Sequence, residues 1–399
     1  MEVVICGAGI AGLALAHRLS ELGADVVVLE KAPGPRTQGY MIDFFGPGYD
    51  AAEEMGVLPR LLEVGYRVDE ARFVDQSGRR RARLDFDQFG RSMGQRLVSI
   101  MRPDLESVLR ESLPEDVDLR FGASPAHIED GSDGVRVTLA DGQELHADLL
   151  VGADGIHSAV RRMVFGPESD HLRHLGFHTA AFTFEDSRLH AEVGNRFHLT
   201  DTLDRQMGLY GMRNGRLAVF AVHRAADPTL PADPRQALLA EYGSLGWVVP
   251  TVLAKCPPGE EIYYDQVAQV EVPRWHRGRV VLVGDACCAV SLVAGQGASL
   301  GIAGAYVLAE QLRAGAVEAG LERYEQLWRP VVEEKQRVAR RGVRWFLPRT
   351  RAEQQLRRTM LALARVPGLD RFVATGLVGK HSTLIGELRN NGGRDHAWR

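Results

Sequence analysis

The sequence predicts an α/β fold: a Rossmann-like parallel sheet with its helices, a β-sheet domain inserted into it, and helices at the C-terminal end. Three observations predict it. A buried strand, Val3 to Cys6, runs into Gly7-Ala-Gly-Ile-Ala-Gly12 and then a helical pattern, Leu13 to Leu22. Two later strands, within Ala147-Asp-Leu-Leu-Val-Gly-Ala-Asp154 and Gly278-Arg-Val-Val-Leu-Val-Gly-Asp285, each end at a glycine-containing turn with an aspartate. Between them, Leu175 to Glu271 has the texture of short alternating strands.

In the N-terminal unit each glycine has its own task. Gly7 makes the turn, Gly9 lets the backbone approach phosphate without a Cβ, and Gly12 lets helix and strand pack closely. Ala11 and Lys31 flank these positions and belong to the same candidate binding surface. The second strand, Asp25 to Leu29, ends at Glu30, eighteen residues after Gly12, where a carboxylate can accept both hydroxyls of an adenosine ribose. A glutamate there argues against a 2′-phosphate on that nucleotide. With the helix N-terminus facing a pyrophosphate, the stretch predicts bound FAD or NAD.

Further along, Lys31 to Tyr49 is rich in Gly and Pro and reads as a loop, followed by a short helix near Asp50 to Gly65. Arg67 to Phe86 reads as a hairpin around Gln76-Ser-Gly78, and Arg102 to Ser112 as a helix opening just before Pro103. Asp118 to Phe121, Ala126 to Glu129, Gly134 to Leu139 and Glu144 to Ala147 read as strands, with Asp141-Gly142 a hairpin turn, and Asp148 to Val151 as a fresh buried strand. In the insertion, Gly208 to Met212 and Arg216 to His223 join across Asn214-Gly215, and Arg235 to Tyr242 is helical. Arg279 to Val283 returns to the first domain, Ala298 to Ala314 is a long helix, and Leu321 to Arg341 and Arg351 to Leu377 are helical and arginine-rich. The expected division is 1–70, 97–174 and 272–340 for the nucleotide-binding domain, 71–96 and 175–271 for the inserted sheet, and 341–399 for the C-terminal segment.

Composition narrows the partners. Lys plus Arg (48) nearly balance Asp plus Glu (52), a net charge of −4, which supplies no field for nucleic acid or an anionic membrane. A small-molecule partner is expected, with the chain a monomer or homodimer. Cys6, Cys256, Cys287 and Cys288 form no Cys-x-x-Cys pair, Cys287-Cys288 reads as two packed thiols, and a reducing cytoplasm fits. No apolar run approaches the roughly 20 residues of a membrane span, and the N-terminus shows no basic leader. No metal-ligand constellation is expected.

The three motifs in this order, with Gly295-Gln-Gly297 and Ala298 at a helix start after the third, resemble the group A flavoprotein monooxygenases. That family has the p-hydroxybenzoate hydroxylase fold and includes the tetracycline-inactivating monooxygenases. The resemblance covers nearly the whole chain and implies FAD, held noncovalently, with NADPH or NADH as a transient reductant. It implies that Asp285 accepts from the ribityl hydroxyls, and that Gly295, Gly297 and Ala298 bring backbone amides and a helix N-terminus to the flavin ring. It places Arg36 and Asp43 in the loop beside the flavin, Arg102 on the pyrophosphate side, Asp154 by FAD and the nicotinamide nucleotide, and Arg161 behind that turn. His157 reads as a helix-start residue and not a base. Where many members have His and Pro, this chain has Cys288 and Leu292, which alters the wall where flavin meets oxygen and substrate.

The activity implied is FAD- and NAD(P)H-dependent monooxygenation, one atom of O2 entering an organic substrate by way of a flavin C4a-hydroperoxide and the other leaving as water. The flavin carries that chemistry, so no catalytic side-chain set is required. Phe44, Phe45, Met207, Tyr210, Met212 and Phe220 are the candidate substrate walls, and they indicate an aromatic or polyketide-like compound. Baeyer–Villiger oxygenation by the same intermediate, a non-oxygenating FAD dehydrogenase or reductase, and a ligand-sequestering flavoprotein stay open. A flavin-dependent halogenase is disfavoured because Trp-x-Trp-x-Ile-Pro is absent.

Overall fold

The structure is a computed structural model that describes residues 1–35, 39–92, 94–291, 295–313, 315–363 and 382–392. A six-stranded sheet has the order His276–Arg277, Val280–Leu282, Leu149–Gly152, Glu2–Cys6, Asp25–Glu30, Asp118–Phe121, parallel apart from the first short strand. Its central strands read Val-Val-Ile-Cys, Val-Val-Val-Leu and Leu-Leu-Val-Gly because both faces are covered and no alternation is needed. Helices Ile10–Glu21 and Gly297–Arg313 pack against each other over this sheet. A three-stranded antiparallel sheet, Pro125–Asp130, Val135–Leu139 and Glu144–Ala147, borders it.

The inserted lobe is a seven-stranded sheet in the order Tyr263–Val270, Leu172–Glu185, Arg216–Arg224, Arg205–Gly211, Arg196–Thr200, Glu70–Val74, Arg80–Asp85. Alternation divides its faces. Phe182, Met207, Leu209, Leu217, Val219 and Ala221 pack on one face against Leu238, Tyr242, Val249 and Val252 of the covering helices. Tyr210, Ala218 and Phe220 face the other way, toward the nucleotide-binding lobe.

One element departs from the expectation. The loop expected over Lys31 to Tyr49 contains a strand, Met41–Phe45, paired antiparallel with Leu97–Met101, and the first turn of the helix Pro47–Glu54. Glycine and proline dominate its ends, while Met-Ile-Asp-Phe-Phe supplies strand formers with one buried face. The short helix expected near Asp50 to Gly65 is two, Pro47–Glu54 and Leu58–Val64. The C-terminal helix Val317–Phe346 runs back to the inserted sheet, where Leu347 packs on Phe177, Val222 and Val267. Arg351–Leu363 is then fixed there by Asp201, which receives Arg357 at 2.6 Å and Arg358 at 2.7 Å. Leu384–Gly392 returns to the first lobe, with Ile385 buried in its core.

Candidate functional site

At the C-terminal ends of the parallel strands, the first glycine motif closes on itself. Gly7 has φ +110°, and a Cβ there would lie 2.5 Å from the Ala153 carbonyl oxygen. A Cβ on Gly12 would lie 1.9 Å from the Gly7 oxygen, so the helix could not sit this close to the strand with any side chain. Gly9 differs: its nearest neighbour would be Glu106 Oε1 at 4.0 Å, leaving open ground in front of the helix N-terminus. Ala11 is packed under the third motif, since a Cβ on Gly284 would meet its methyl at 2.7 Å.

Glu30 is buried at the strand end, and its carboxylate accepts from Ala8 N at 3.0 Å and Ala32 N at 2.9 Å. Each oxygen keeps a further lone pair for a ribose hydroxyl. Lys31 beside it is exposed. Arg102 opens the helix Arg102–Glu111 and pairs with Glu106 at 2.8 Å, next to Gly9. Asp285 follows Gly284, whose φ is +63°, and lies 3.8 Å from where a Gly297 Cβ would sit. Burial pushes its carboxyl above the ordinary range, assisted by Asp265 and opposed by Arg102. Gly295 has φ +63° and open space around it, and Ala298 is half-buried in the helix that follows.

Asp154 is engaged within its own turn. It accepts from Ser158 Oγ, from Ala159 N at 2.6 Å and from Val160 N at 3.1 Å, so its present work is to hold the start of the helix Ala159–Val164. Arg161 is fully buried and donates to Ala286 O at 2.9 Å and Ile156 O at 2.6 Å, which ties the second motif to the third. Asp43 accepts from Ser99 Oγ at 2.6 Å, and burial raises its carboxyl while that bond lowers it. Arg36 and Leu292 lie outside the described residues.

The candidate substrate walls separate. Tyr210, Met212 and Phe220 are on the face of the inserted sheet that looks toward the first lobe; Phe220 packs against Tyr40 (5.8 Å between ring centres), and Tyr40 against Tyr263 (5.9 Å). The Tyr210 hydroxyl is occupied by the Met41 amide. Met207 does not belong to this wall. One residue of register puts it on the opposite face, fully buried under the covering helices. Phe44 also turns away, stacked on Tyr49 in the core of the first lobe, because it alternates with Asp43 along the strand. Phe45 shares Asp43's side and packs edge-on to Phe89.

Sequence reasoning missed Tyr40, Glu106, Tyr263 and Asp265, which come together around Arg102 and Asp285. Burial pushes the Tyr40 hydroxyl up to about 12. His157 does more than start a helix: Nδ1 meets the Glu168 carboxylate at 3.2 Å and Nε2 meets Asp265 Oδ1 at 3.2 Å. The alternation of Tyr263 and Asp265 on one strand was the available signal. Cys287 and Cys288 are free thiols, buried against the Gly284 carbonyl. Among the described residues no group of His, Cys, Asp and Glu is arranged to hold a metal ion, and no helix is long and apolar enough to cross a membrane.

The arrangement fits a flavin dinucleotide: an open cradle at Gly9, a buried ribose acceptor, and the accessible Asp285 carboxylate with a second cradle at Gly295. A family model for an FAD binding domain matches residues 1–339. The chain belongs to the FAD-binding monooxygenases. It is 31% identical over 344 residues to a flavin-dependent monooxygenase of Legionella longbeachae, covering 84% of this chain and 87% of that one. It is 35% identical over 344 residues to an uncharacterised protein of Mycobacterium tuberculosis, covering 84% and 91%. Among solved structures it is similar to the tetracycline destructase Tet(55), with a TM-score of 0.80, 25% identity, and 95% and 97% of the two chains covered. The chain is thus an FAD-dependent monooxygenase of the group A fold.

Proposed function

We propose that the protein is an NAD(P)H-dependent monooxygenase acting on an aromatic or polyketide-like compound in the cleft between the inserted sheet and the flavin site. The observation that carries this reading is the aromatic group of Tyr40, Tyr263 and Phe220, which lies between the inserted sheet and Arg102 and Asp285 of the cradle built by the glycine motifs. The lobes divide the work as 1–70, 97–174 and 272–340 for FAD, and 71–96 with 175–271 for substrate. When bound, the flavin would supply the redox chemistry, with NADPH or NADH as the reductant and O2 as the oxidant.

The chain's own residues bind, orient and exclude water. Glu30 takes the adenosine ribose, the Gly9 amide and the adjoining helix N-terminus take the pyrophosphate with Arg102, and Asp285 takes the ribityl hydroxyls. A pyrophosphate would compete with Glu106 for Arg102, replacing one anion by another. The helix Gly297–Arg313 would present its positive N-terminal end to a flavin ring held at Gly295, favouring negative charge there. Tyr40, Phe220 and Tyr263 present flat apolar surface to a planar substrate and keep bulk water from the reacting atoms. Only one dinucleotide fingerprint is present, so the nicotinamide visits the flavin face transiently. Baeyer–Villiger oxygenation uses the same parts.

The test is a panel of phenolic and polyketide compounds scored for compound-stimulated NAD(P)H consumption, with products of active compounds analysed under 18O2. One labelled oxygen per product is expected. Stimulated consumption without label would make the protein a dehydrogenase or reductase, and FAD-loaded protein oxidising neither nicotinamide would remove the reading.

A further inference from the structure

Behind the aromatic cleft face runs a chain of titratable groups that flavin binding does not use. Tyr263 packs beside Tyr40, with Arg102 and Asp285 in electrostatic reach. Its hydroxyl approaches Asp265 Oδ2 at 3.5 Å, on the same face of the strand Tyr263–Val270. Asp265 Oδ1 meets His157 Nε2 at 3.2 Å, and His157 Nδ1 meets Glu168 at 3.2 Å. Asp265 is nearly buried, at 10% side-chain exposure, whereas His157 is 39% and Glu168 30% exposed, so both face solvent. The series therefore leads from the cleft to solvent, crossing from the inserted sheet to the second glycine motif.

We propose that Tyr263, Asp265, His157 and Glu168 form a proton path between the cleft and solvent. An imidazole held between two carboxylates can accept on one nitrogen while donating from the other. The groups that face it from each packed element are Glu168, Asp265 and, against Glu168 at 3.4 Å, the Arg161 guanidinium. The bond to Asp265 is the main cause that holds the imidazole above its ordinary value, with Glu168 adding to it against burial, which favours the protonated form. Transfer from His157 Nε2–H to Asp265 and on to Tyr263, whose own proton moves toward the reacting atoms, leaves His157 to be reprotonated from solvent, with Glu168 holding its other nitrogen. Net charge in the path is restored after each passage.

This inference rests on the oxygen reactivity in the proposed function, which consumes a proton: reduced flavin anion, O2 and H+ give oxidised flavin and H2O2. The experiment uses the full chain loaded with FAD, photoreduced without nicotinamide or organic substrate, then mixed with O2. His157→Ala is expected to slow reoxidation about tenfold or more. Added imidazoles restore the rate, in proportion that follows their own pKa, and Asp265→Asn stays slow with or without them. Wild-type reoxidation in His157→Ala, or rescue independent of the imidazole's pKa, would overturn the path and leave a structural contact. Should His157→Ala lose FAD, Asp265→Asn gives the same test at the buried link, and wild-type reoxidation there would overturn the path. Histidine NMR on the apoprotein provides a readout apart from activity: the His157 titration must fall in Asp265→Asn, and an unmoved titration refutes the coupling. Failure of NAD(P)H consumption would strike the proposed function alone, since photoreduction bypasses it.

Discussion

Two glycines of one motif, three residues apart, should respond oppositely to the same methyl group. At Gly12 an added Cβ lies 1.9 Å from the Gly7 carbonyl oxygen, while real Cβ atoms stay beyond 3.0 Å, so helix and turn must separate by more than 1 Å. The opposing atom is backbone, and no side-chain rotation relieves it. Overpacking of this kind costs about 3 kcal/mol, at the upper end of its usual range, which is roughly a hundredfold in the folding equilibrium. At Gly9 the nearest atom is 4.0 Å away and the backbone is extended, with φ −83° and ψ −176°, a conformation alanine adopts freely. Gly9→Ala should therefore leave apoprotein stability within about 0.5 kcal/mol. It should still raise the FAD dissociation constant about tenfold to hundredfold, because its methyl displaces a phosphate oxygen from charged hydrogen bonds each contributing about 1.5–3 kcal/mol. Thermal melting of the apoprotein and FAD titration by fluorescence quenching separate the two effects. Gly9→Ala binding FAD as the wild type does would refute the pyrophosphate site, and a fully stable Gly12→Ala would refute the close packing.

Other predictions follow the same physics. Arg161→Met leaves the Ala286 and Ile156 carbonyls without their buried donor, so we expect a loss of about 1–3 kcal/mol for each orphaned group in denaturant unfolding, and weakened FAD binding with it. Asp201→Asn removes the carboxylate charge facing the buried Arg357 guanidinium and should cost about 3–5 kcal/mol, detected as early unfolding of the inserted lobe by hydrogen exchange; wild-type protection there would show that the pair is dispensable. His157 is raised above 6.5 by Asp265 and Glu168, so its contribution to stability is complete below that value and fades as pH rises through the folded one. The melting-temperature gap between wild type and His157→Gln should narrow from pH 6 to pH 9, and a constant gap would mean the contact is not ionic. Flavin bleaching by NAD(P)H under anaerobic stopped flow should accelerate when substrate fills the cleft; equal rates with and without it would remove substrate gating.

The nucleotide-binding lobe was legible because its signals are local. Gly7, Gly12 and Glu30 act within one strand–turn–helix–strand unit, and their spacing carries the geometry without knowledge of the rest of the chain. The substrate wall was not, because it depends on which face of each strand points inward. Met207 and Tyr210 lie three apart in sequence and so fall on opposite faces, and both are apolar enough for either. Phe44 misled for the same reason, in a strand whose existence the surrounding Gly and Pro concealed. His157 lay in plain view inside a motif, but its partners are an acidic turn 11 residues on and a strand 108 residues on. Those pairings are tertiary, and nothing in the local pattern points to them.

Several contacts that join the two lobes around the cleft are polar and individually modest. The Tyr210 hydroxyl meets the Met41 amide, Arg213 reaches the Gly65 carbonyl, and His157 meets Asp265. Contacts of this kind can be broken and remade against water, because hydration compensates most of what each one contributes; beside them Met41, Tyr66 and Met101 of the first lobe pack against Tyr210, Ala218 and Met212 of the inserted sheet. The Tyr210 bond carries particular weight in this argument. It ends on the strand Met41–Phe45, which also holds Asp43 two residues along, so the inserted sheet is hydrogen-bonded to the segment that carries Asp43. A compound that wedges between Phe220 and Tyr40 would therefore act on the flavin's surroundings through backbone hydrogen bonds already in place. If substrate gating is found in the stopped-flow experiment, Tyr210→Phe should weaken it, because that substitution removes the hydroxyl that meets the Met41 amide; undiminished gating in Tyr210→Phe would rule this contact out as the route.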